Sequence, residues 1–166
     1  MTSWSGLLRQ EIQPGVKVAV IGIGQILSGD DAAGVLVARK LREHIPSTEE
    51  RIIIDAGLAP ENFTGLIRRM RPDLLIVVDA AQMGEEPGTV HLIPWHYADG
   101  IRVSTHTLPL RMICSYLTDQ TGCEIALIGI QVGDAQFGHP PTRAVKTAAA
   151  RVARKLEGLL RIPEPI

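Results

Sequence analysis

Three polar residues, distant from one another in the sequence, could together bind a divalent metal ion. Asp31 lies in the glycine-rich loop after the first apolar run, Asp79 ends the most apolar run, and His106 precedes a predicted helix. Two carboxylates and one imidazole suit a borderline ion such as nickel, zinc or manganese. Three protein ligands also leave coordination positions open for the ligands of a partner. Their spacing leaves open whether the three side chains converge.

Each of these residues also has a structural interpretation. Ser28 and Asp31 have the spacing of a helix capping box, and acids at a helix start complement the helix dipole. Asp79 could be satisfied by loop N–H groups, because a buried carboxylate needs a donor or a cation. A lone loop histidine such as His106 is usually a surface or capping group. Asp30, however, adds a second acid where capping requires one, which favours a functional site.

Several well-known sites are excluded by the sequence. A dinucleotide-binding fingerprint would need a third glycine at Leu27, and no Gly-Lys-Ser/Thr phosphate loop is present. Two acids at a helix start would also repel a phosphate. The histidines lack zincin spacing, and Ser28 and Ser104 lack a Gly-x-Ser-x-Gly context. The acids of the first loop are therefore better explained by a metal than by a nucleotide.

The elements that must position these residues alternate between strand and helix. Apolar runs predict strands at residues 16–23, 51–55, 74–79, 89–95 and 124–132, and helical spacing predicts helices at about residues 2–12, 33–45, 60–71, 109–121 and 142–160. The third and fourth strands are too close in sequence for a helical crossover, so the fourth is predicted to be antiparallel at a sheet edge.

The predicted fold is therefore α/β, with three αβα layers around a twisted, five-stranded, mostly parallel sheet that has one antiparallel edge strand. In such sheets ligands bind beyond the carboxyl ends of the strands. We expect Asp31, Asp79 and His106 to lie at that edge. We also expect a single domain over residues 1–166, with an N-terminal helical extension at 1–14 and the core at 16–160.

Composition argues against nucleic acid and membrane partners. The net charge is −1 and aromatic residues make up 4% of the 166 residues, so neither a long-range field nor a base-stacking surface is expected. No apolar run approaches the roughly 20 residues that span a bilayer, and the N-terminus shows no secretory signal. Two cysteines, a buried Cys114 and an incidental Cys123, fit a reducing compartment and predict a cytoplasmic location.

Four segments together resemble the hydrogenase maturation endopeptidases, especially those that act on hydrogenase-3-type large subunits. In chain order they are residues 24–34 (GQILSGDDAAG), 55–62 (DAGLAPEN), 78–84 (VDAAQMG) and 104–110 (STHTLPL). No single segment is specific, but their order and spacing together are. The resemblance extends over about residues 16–160, which is nearly the whole predicted domain.

The resemblance implies a nickel-dependent endopeptidase, aspartic-type by family grouping, that removes a C-terminal extension from a [NiFe]-hydrogenase large-subunit precursor. Members of the family act only after nickel has been inserted, so the precursor is expected to deliver the metal. The metal-contacting acids and histidine of the family correspond to Asp31, Asp79 and His106, which are also the expected catalytic residues. Asp30 is expected to orient a metal ligand.

The sequence departs from the family pattern at a few positions. The family usually has Asn where Gln25 stands and Gly where Ala32 stands. Its second segment is typically Asp-Gly-Gly followed by Ser or Thr and is tied to selection of the cleavage site. Here residues 55–58 read Asp-Ala-Gly-Leu, so we expect Asp55 and Gly57 to position the substrate with a preference of their own.

Two other functions remain open from the residues alone. One is a nickel-binding accessory protein that checks the precursor without cutting it. The other is a metallohydrolase on the same fold that turns over small esters or amides without a precursor. Fold and site position do not decide among these functions.

Overall fold

Apolar runs rich in β-branched residues form one five-stranded sheet in the computed structural model, which describes residues 3–103 and 108–162. The strands are β1 (Val18–Ile23), β2 (Arg51–Gly57), β3 (Leu74–Ala81), β4 (Val90–Ile93) and β5 (Glu124–Gln131). Their order across the sheet is β2-β1-β3-β5-β4. β4 pairs antiparallel with β5, and the other neighbouring strands pair in parallel. The predicted α/β fold and its antiparallel edge strand are confirmed.

Helices fill the connections between the strands. In the described part of the chain they are α1 (Trp4–Glu11), α2 (Ala33–Arg42), α3 (Thr64–Met70), α4 (Leu110–Thr121) and α5 (Arg143–Leu160), with short 3₁₀ helices at Gly29–Ala32, Pro60–Phe63 and Trp95–Gly100. Local signals fix their ends: Thr142 caps α5 by accepting a hydrogen bond from the Val145 N–H, and Gly122 ends α4 with a φ of 71°. None of these helices combines the length with the apolar composition that a bilayer-spanning helix requires.

The sheet is buried between two helical layers, because alternate residues of its strands pack on opposite faces. Val18 and Val20 of β1 belong to the core formed with α1, α2 and α5. Ala19 and Ile21 belong to the core formed with α3 and α4. All six residues of β1 are buried, as expected for a central parallel strand. The helices thus pack on the sheet in the predicted layers.

α2 packs closely against β1 because two glycines meet where they cross. A Cβ atom on Gly22 would overlap the carbonyl oxygen of Gly34, and a Cβ atom on Gly34 would overlap the carbonyl oxygens of Ile23 and Val78. Only glycine allows main chains to approach in this way. The contact holds the start of α2, together with the 3₁₀ helix before it, against the carboxyl ends of β1 and β3.

Some predicted ends were wrong. β3 continues beyond Asp79 because β5 provides a continuous partner, with Asp79 opposite Gly129 and Ala81 opposite Gln131. Asp79 therefore lies inside its strand rather than at the end. α2 stops at Arg42, short of the predicted residue 45. Residues 95–100, which we predicted as the end of a strand and the start of a loop, form a 3₁₀ helix.

Candidate functional site

Asp31 is held in the 3₁₀ helix that joins β1 to α2. The residue is buried, with 2% exposure, and its Oδ2 atom accepts a hydrogen bond from the Gln25 main-chain N–H at 3.1 Å. The Ser28 side chain makes no capping hydrogen bond to this helix, so the capping-box interpretation is wrong. The preceding loop instead folds back onto the Asp31 carboxylate and fixes it near the carboxyl end of β1.

Asp79 is a buried acid within β3. Its Oδ1 atom accepts a hydrogen bond from the Ala80 N–H at 2.9 Å, and its Oδ2 atom accepts one from Arg102 Nε at 3.1 Å. Burial raises the pKa of Asp79 to about 7; the charge of Asp31 raises it further, while that of Arg102 lowers it. The carboxylate thus has both a main-chain donor and a cation, the two kinds of partner that burial demands.

The structure brings Asp31 and Asp79 together near the carboxyl ends of β1 and β3. The charge of Asp31 contributes to the raised pKa of Asp79, so the two carboxylates repel each other through the protein. A divalent cation between hard oxygen donors would relieve this repulsion, so the donor chemistry fits a metal ion. Across residues 3–103 and 108–162 no three candidate ligands cluster, and His106, the third predicted ligand, lies outside the described residues.

Asp30 ties the first loop to the segment between β5 and α5. The residue is fully buried, and its carboxylate accepts hydrogen bonds from the main-chain N–H groups of Gly133, Asp134 and Thr142 at 2.7, 2.9 and 2.6 Å. The Thr142 hydroxyl lies 3.0 Å from its Oδ2 atom as a further donor. This carboxylate is therefore committed to protein donors, and it positions the neighbouring Asp31 through the main chain.

Asp55 and Gly57 lie at the carboxyl end of the edge strand β2. The Asp55 Oδ2 atom accepts a hydrogen bond from Arg39 Nε at 2.8 Å, and its Oδ1 atom accepts one from the Gly57 N–H at 3.2 Å. Gly57 has a φ of 55°, and its carbonyl oxygen accepts a hydrogen bond from the Gly24 N–H at 2.9 Å. This turn supports the first loop from the side opposite to Asp30.

An open cleft of about 370 Å³ reaches Asp31. Its lining mixes polar and apolar residues: Gln25, Ser28, Asp31, Leu58, Val103, Ala135 and Phe137. Leu58 and Phe137 are exposed, at 40% and 75%, so apolar side chains face solvent at the cleft. Asp79 is not part of this lining; it shares a separate cavity of about 10 Å³ with Arg102, room for about one water molecule.

Arg102 is the residue of this site that the sequence did not single out. Its side chain is 7% exposed, and its main chain forms an isolated antiparallel bridge with Ala81. The requirement that a buried carboxylate has a partner pointed to a donor or cation for Asp79. However, the chain contains 17 lysines and arginines, and no local pattern distinguishes Arg102 from the others.

The two cysteines are free thiols in the core. Cys114 and Cys123 are 1% and 3% exposed, and burial raises the pKa of Cys114 to about 12 and also raises the pKa of Cys123. Because the thiolate is the reactive form, neither is suited to nucleophilic catalysis. Cys114 is buried as we predicted, whereas Cys123, which we interpreted as incidental, is a core residue.

Comparison of the sequence with known proteins points to one family. The profile of the HycI family, described as hydrogenase maturation protease, matches residues 35–159. The hydrogenase 3 maturation protease of Escherichia coli K12 is 36% identical over 137 residues, which cover 82% of this chain and 86% of that protein. The similarity therefore extends over most of both chains.

Solved structures show the same likeness. The crystal structure of a [NiFe] hydrogenase maturation protease HycI from Thermococcus kodakarensis KOD1 superposes with a TM-score of 0.84 at 37% identity, covering 93% of this chain and 98% of that one. The solution structure of an endopeptidase HycI from Escherichia coli gives a TM-score of 0.75 at 34% identity, covering 86% and 90%. Sequence and fold thus agree.

Proposed function

Because the chain belongs to the hydrogenase maturation protease family, we propose that it is a nickel-dependent endopeptidase that removes the C-terminal extension of a [NiFe]-hydrogenase large-subunit precursor. The precursor brings the nickel ion on its own cysteine thiolates, so the ion is part of the substrate. One structural observation supports this most directly: two buried acids from distant parts of the chain, Asp31 and Asp79, lie close enough for their charges to interact, and Asp31 borders an open cleft.

In this proposal Asp31, Asp79 and His106 take the positions on the nickel ion that the precursor leaves open. Carboxylate and imidazole are suitable partners for a borderline ion that already carries thiolates. Asp30 supports Asp31 through its hydrogen bonds to the segment before α5. The Asp55 turn supports the same loop from the other side, so the acids are held in place before the substrate arrives.

The cleft beside Asp31 is the proposed docking place for the polypeptide around the scissile bond. Leu58 and Phe137 are exposed there, and an extended segment of the precursor would bury them. Contacts of this kind would supply binding energy in addition to the contacts with the ion. Binding of the segment would then fix which peptide bond lies at the site.

When bound, nickel supplies a Lewis acid for polarising a water molecule or the scissile carbonyl. The residues of this chain orient the substrate and register the presence of the ion. Without nickel, Arg102 offsets the repulsion between Asp31 and Asp79 only in part, and the two acids gain nothing from an empty precursor. Such a penalty against the wrong substrate is a source of specificity, and the site therefore accepts loaded precursor and rejects empty precursor.

We propose a cytoplasmic location for this activity. Both cysteines are free thiols in the structure, which is compatible with a reducing compartment. Activity on a precursor that is still being assembled would take place in the same compartment.

The test is cleavage of purified precursor, with and without nickel, followed by intact mass measurement. We expect loss of the C-terminal extension only from the nickel-loaded precursor. Asp31→Asn and Asp79→Asn are expected to reduce the rate at least about 100-fold, because each removes a charge that meets the ion. Asp119→Asn, which changes an exposed aspartate of α4, should leave the rate unchanged.

Two results would contradict the proposal. Unchanged mass after incubation with loaded precursor that nevertheless binds would favour an accessory protein that checks without cutting. Normal cleavage by both Asp31→Asn and Asp79→Asn would remove these acids from the mechanism. Thermal unfolding of each variant shows whether a loss of activity reflects a loss of fold.

A further inference from the structure

Arg102 occupies the position beside Asp79 that a bound cation would otherwise take. Its Nε atom lies 3.1 Å from the Asp79 Oδ2 atom, and the two side chains are 7% and 6% exposed. The pair is enclosed together in the small cavity described above, apart from the open cleft at Asp31. A metal ion that approaches through the cleft therefore contacts Asp31 first, and it can bind Asp79 only after the Arg102 side chain has been displaced.

The segment that carries Arg102 is attached to the end of β3. Arg102 bridges Ala81 in antiparallel fashion, and the Gln82 N–H donates to the carbonyl oxygen of Ile101 at 2.8 Å. The main chain thus delivers the guanidinium to Asp79 as part of the fold. The position of the Arg102 guanidinium is therefore fixed by main-chain hydrogen bonds, unlike that of a long side chain on the surface.

Among the described residues, the guanidinium of Arg102 does not find a partner for every donor. Its Nη2 atom is buried and has no hydrogen-bond partner within residues 3–103 and 108–162. Arginine has five N–H donors, and a buried donor without a partner lowers stability. An arginine placed only to stabilise the fold would be expected to use its donors more fully, as bidentate arginine–carboxylate pairs do.

We propose that Arg102 is a specificity-determining residue that serves as the resident cation of Asp79 and must be displaced before a metal ion can bind there. This inference rests on the proposed function and names the competitor that the precursor's nickel ion has to overcome. A free divalent ion has only its own attraction to the acids with which to displace the guanidinium. An ion held by a precursor also gains the contacts of the polypeptide in the cleft.

The exchange explains how one site can distinguish free metal from metal held by the correct protein. The ion pair withholds one of the two acids from ions in solution, because opening it would leave a buried guanidinium without its counter-charge. Docking of the precursor supplies the additional energy for the exchange. Arg102 therefore reduces loading of the empty enzyme by free metal.

The test is calorimetric titration of the purified protein with free Ni²⁺ and free Zn²⁺, without precursor. We expect weak binding by the unaltered protein, and binding about tenfold tighter or more by Arg102→Gln, since the competing charge is gone. Arg102→Lys keeps the charge and should bind as weakly as the unaltered protein. The matched control is Arg161→Gln, which alters an exposed arginine–glutamate pair with Glu157 at the end of α5 and should leave the affinity unchanged.

If Arg102→Gln does not fold, a second measurement on the unaltered protein tests the same inference. In the unaltered protein, the Arg102 Nε–H nuclear magnetic resonance signal should shift on saturation with diamagnetic Zn²⁺, as its hydrogen bond to Asp79 is lost. Equal or weaker metal binding by a folded Arg102→Gln variant would overturn the inference. So would a bond between Arg102 and Asp79 that persists in the zinc-saturated protein.

These outcomes are separate from those that test the proposed function. Precursor cleavage by the unaltered protein, with unchanged metal affinity in Arg102→Gln, would reject the role of Arg102 alone. Absence of cleavage by the unaltered protein would reject the proposed function, whatever the metal affinities of the variants.

Discussion

The Asp79 Oδ2 atom lies 3.1 Å from the Arg102 Nε atom, with both side chains almost completely buried. Such a pair contributes little to stability on balance, because removing two charges from water costs about as much as their attraction returns. Breaking it from one side is costly, since the remaining charge stays buried. The pair is therefore better understood as a feature of the site than as a source of stability. The raised pKa of Asp79 can be measured through the pH dependence of unfolding.

Asp79 should make the folded protein less stable as the pH rises. Its pKa is raised from an ordinary value of 3.8 to about 7, chiefly by burial. The folded state consequently binds a proton more tightly than the unfolded state, and this stabilising contribution is complete below the ordinary pKa and lost as the pH rises to the folded value. The loss amounts to at most about 4 kcal/mol of the free energy of unfolding.

Urea unfolding of the metal-free protein at about pH 5 and about pH 8 measures this loss, because most of the decrease in the free energy of unfolding occurs between these two pH values. Asp79→Asn cannot ionise and should lack the corresponding drop. Other titrating groups are common to both proteins and cancel in the comparison. An identical pH dependence in the two proteins would show that Asp79 does not titrate with a raised pKa.

Asp30→Asn should destabilise the fold by about 3 kcal/mol, because an amide cannot accept all the hydrogen bonds that the buried carboxylate receives. The main-chain N–H groups of Gly133, Asp134 and Thr142 are the donors affected. Urea unfolding gives the free energy change. Asp119→Asn, at an exposed position of α4, should change it by less than about 0.5 kcal/mol, and a similar small change in Asp30→Asn would refute the assignment.

Gly34→Ala should destabilise the protein by about 3 kcal/mol or more, since the added methyl overlaps main-chain oxygens of β1 and β3. The cost of the overlap is larger than the gain of about 1 kcal/mol that alanine gives over glycine within a helix. Gly158→Ala is the matched control within α5, where a Cβ atom meets nothing within 4 Å.

The expected result for the control has the opposite sign: Gly158→Ala should stabilise the protein by about 0.5–1 kcal/mol. Thermal or urea unfolding gives the change in the free energy of unfolding for Gly34→Ala and Gly158→Ala. Stabilisation in both would mean that α2 does not approach β1 as closely as described.

Hydrophobic patterning was sufficient to predict the succession of strands along the chain, a mostly parallel sheet and its antiparallel edge strand, but it gave no order of the strands across the sheet. The run of residues 74–79 indicated a buried strand, and the short link to residue 89 indicated an antiparallel strand at a sheet edge. The ends of the strands were harder to predict, because they depend on partner strands that are remote in sequence. β3 extends to Ala81 only because β5 reaches Gln131 beside it, and nothing local to Asp79 indicates this.

The acids of the site were easier to identify than their partners. Asp31 and Asp79 follow apolar runs, so topology alone suggests where they lie. Arg102 stands in a polar stretch, where its long side chain could reach many places, and only the folded chain selects Asp79. Asp30 shows the same limit: its donors belong to a segment more than a hundred residues later, and tertiary hydrogen bonds of this kind leave no periodic signal.

The dependence of the first loop on Thr142 has a consequence for biosynthesis. A nascent chain emerges from the ribosome with its N-terminal part first, so the loop that bears Asp30 is made long before the residues that hold it. Until the start of α5 appears, the Asp30 carboxylate lacks the main-chain donors of Gly133, Asp134 and Thr142. A partly translated molecule would therefore lack an ordered first loop, and the proposed metal-dependent cleavage would have to wait until synthesis is nearly finished.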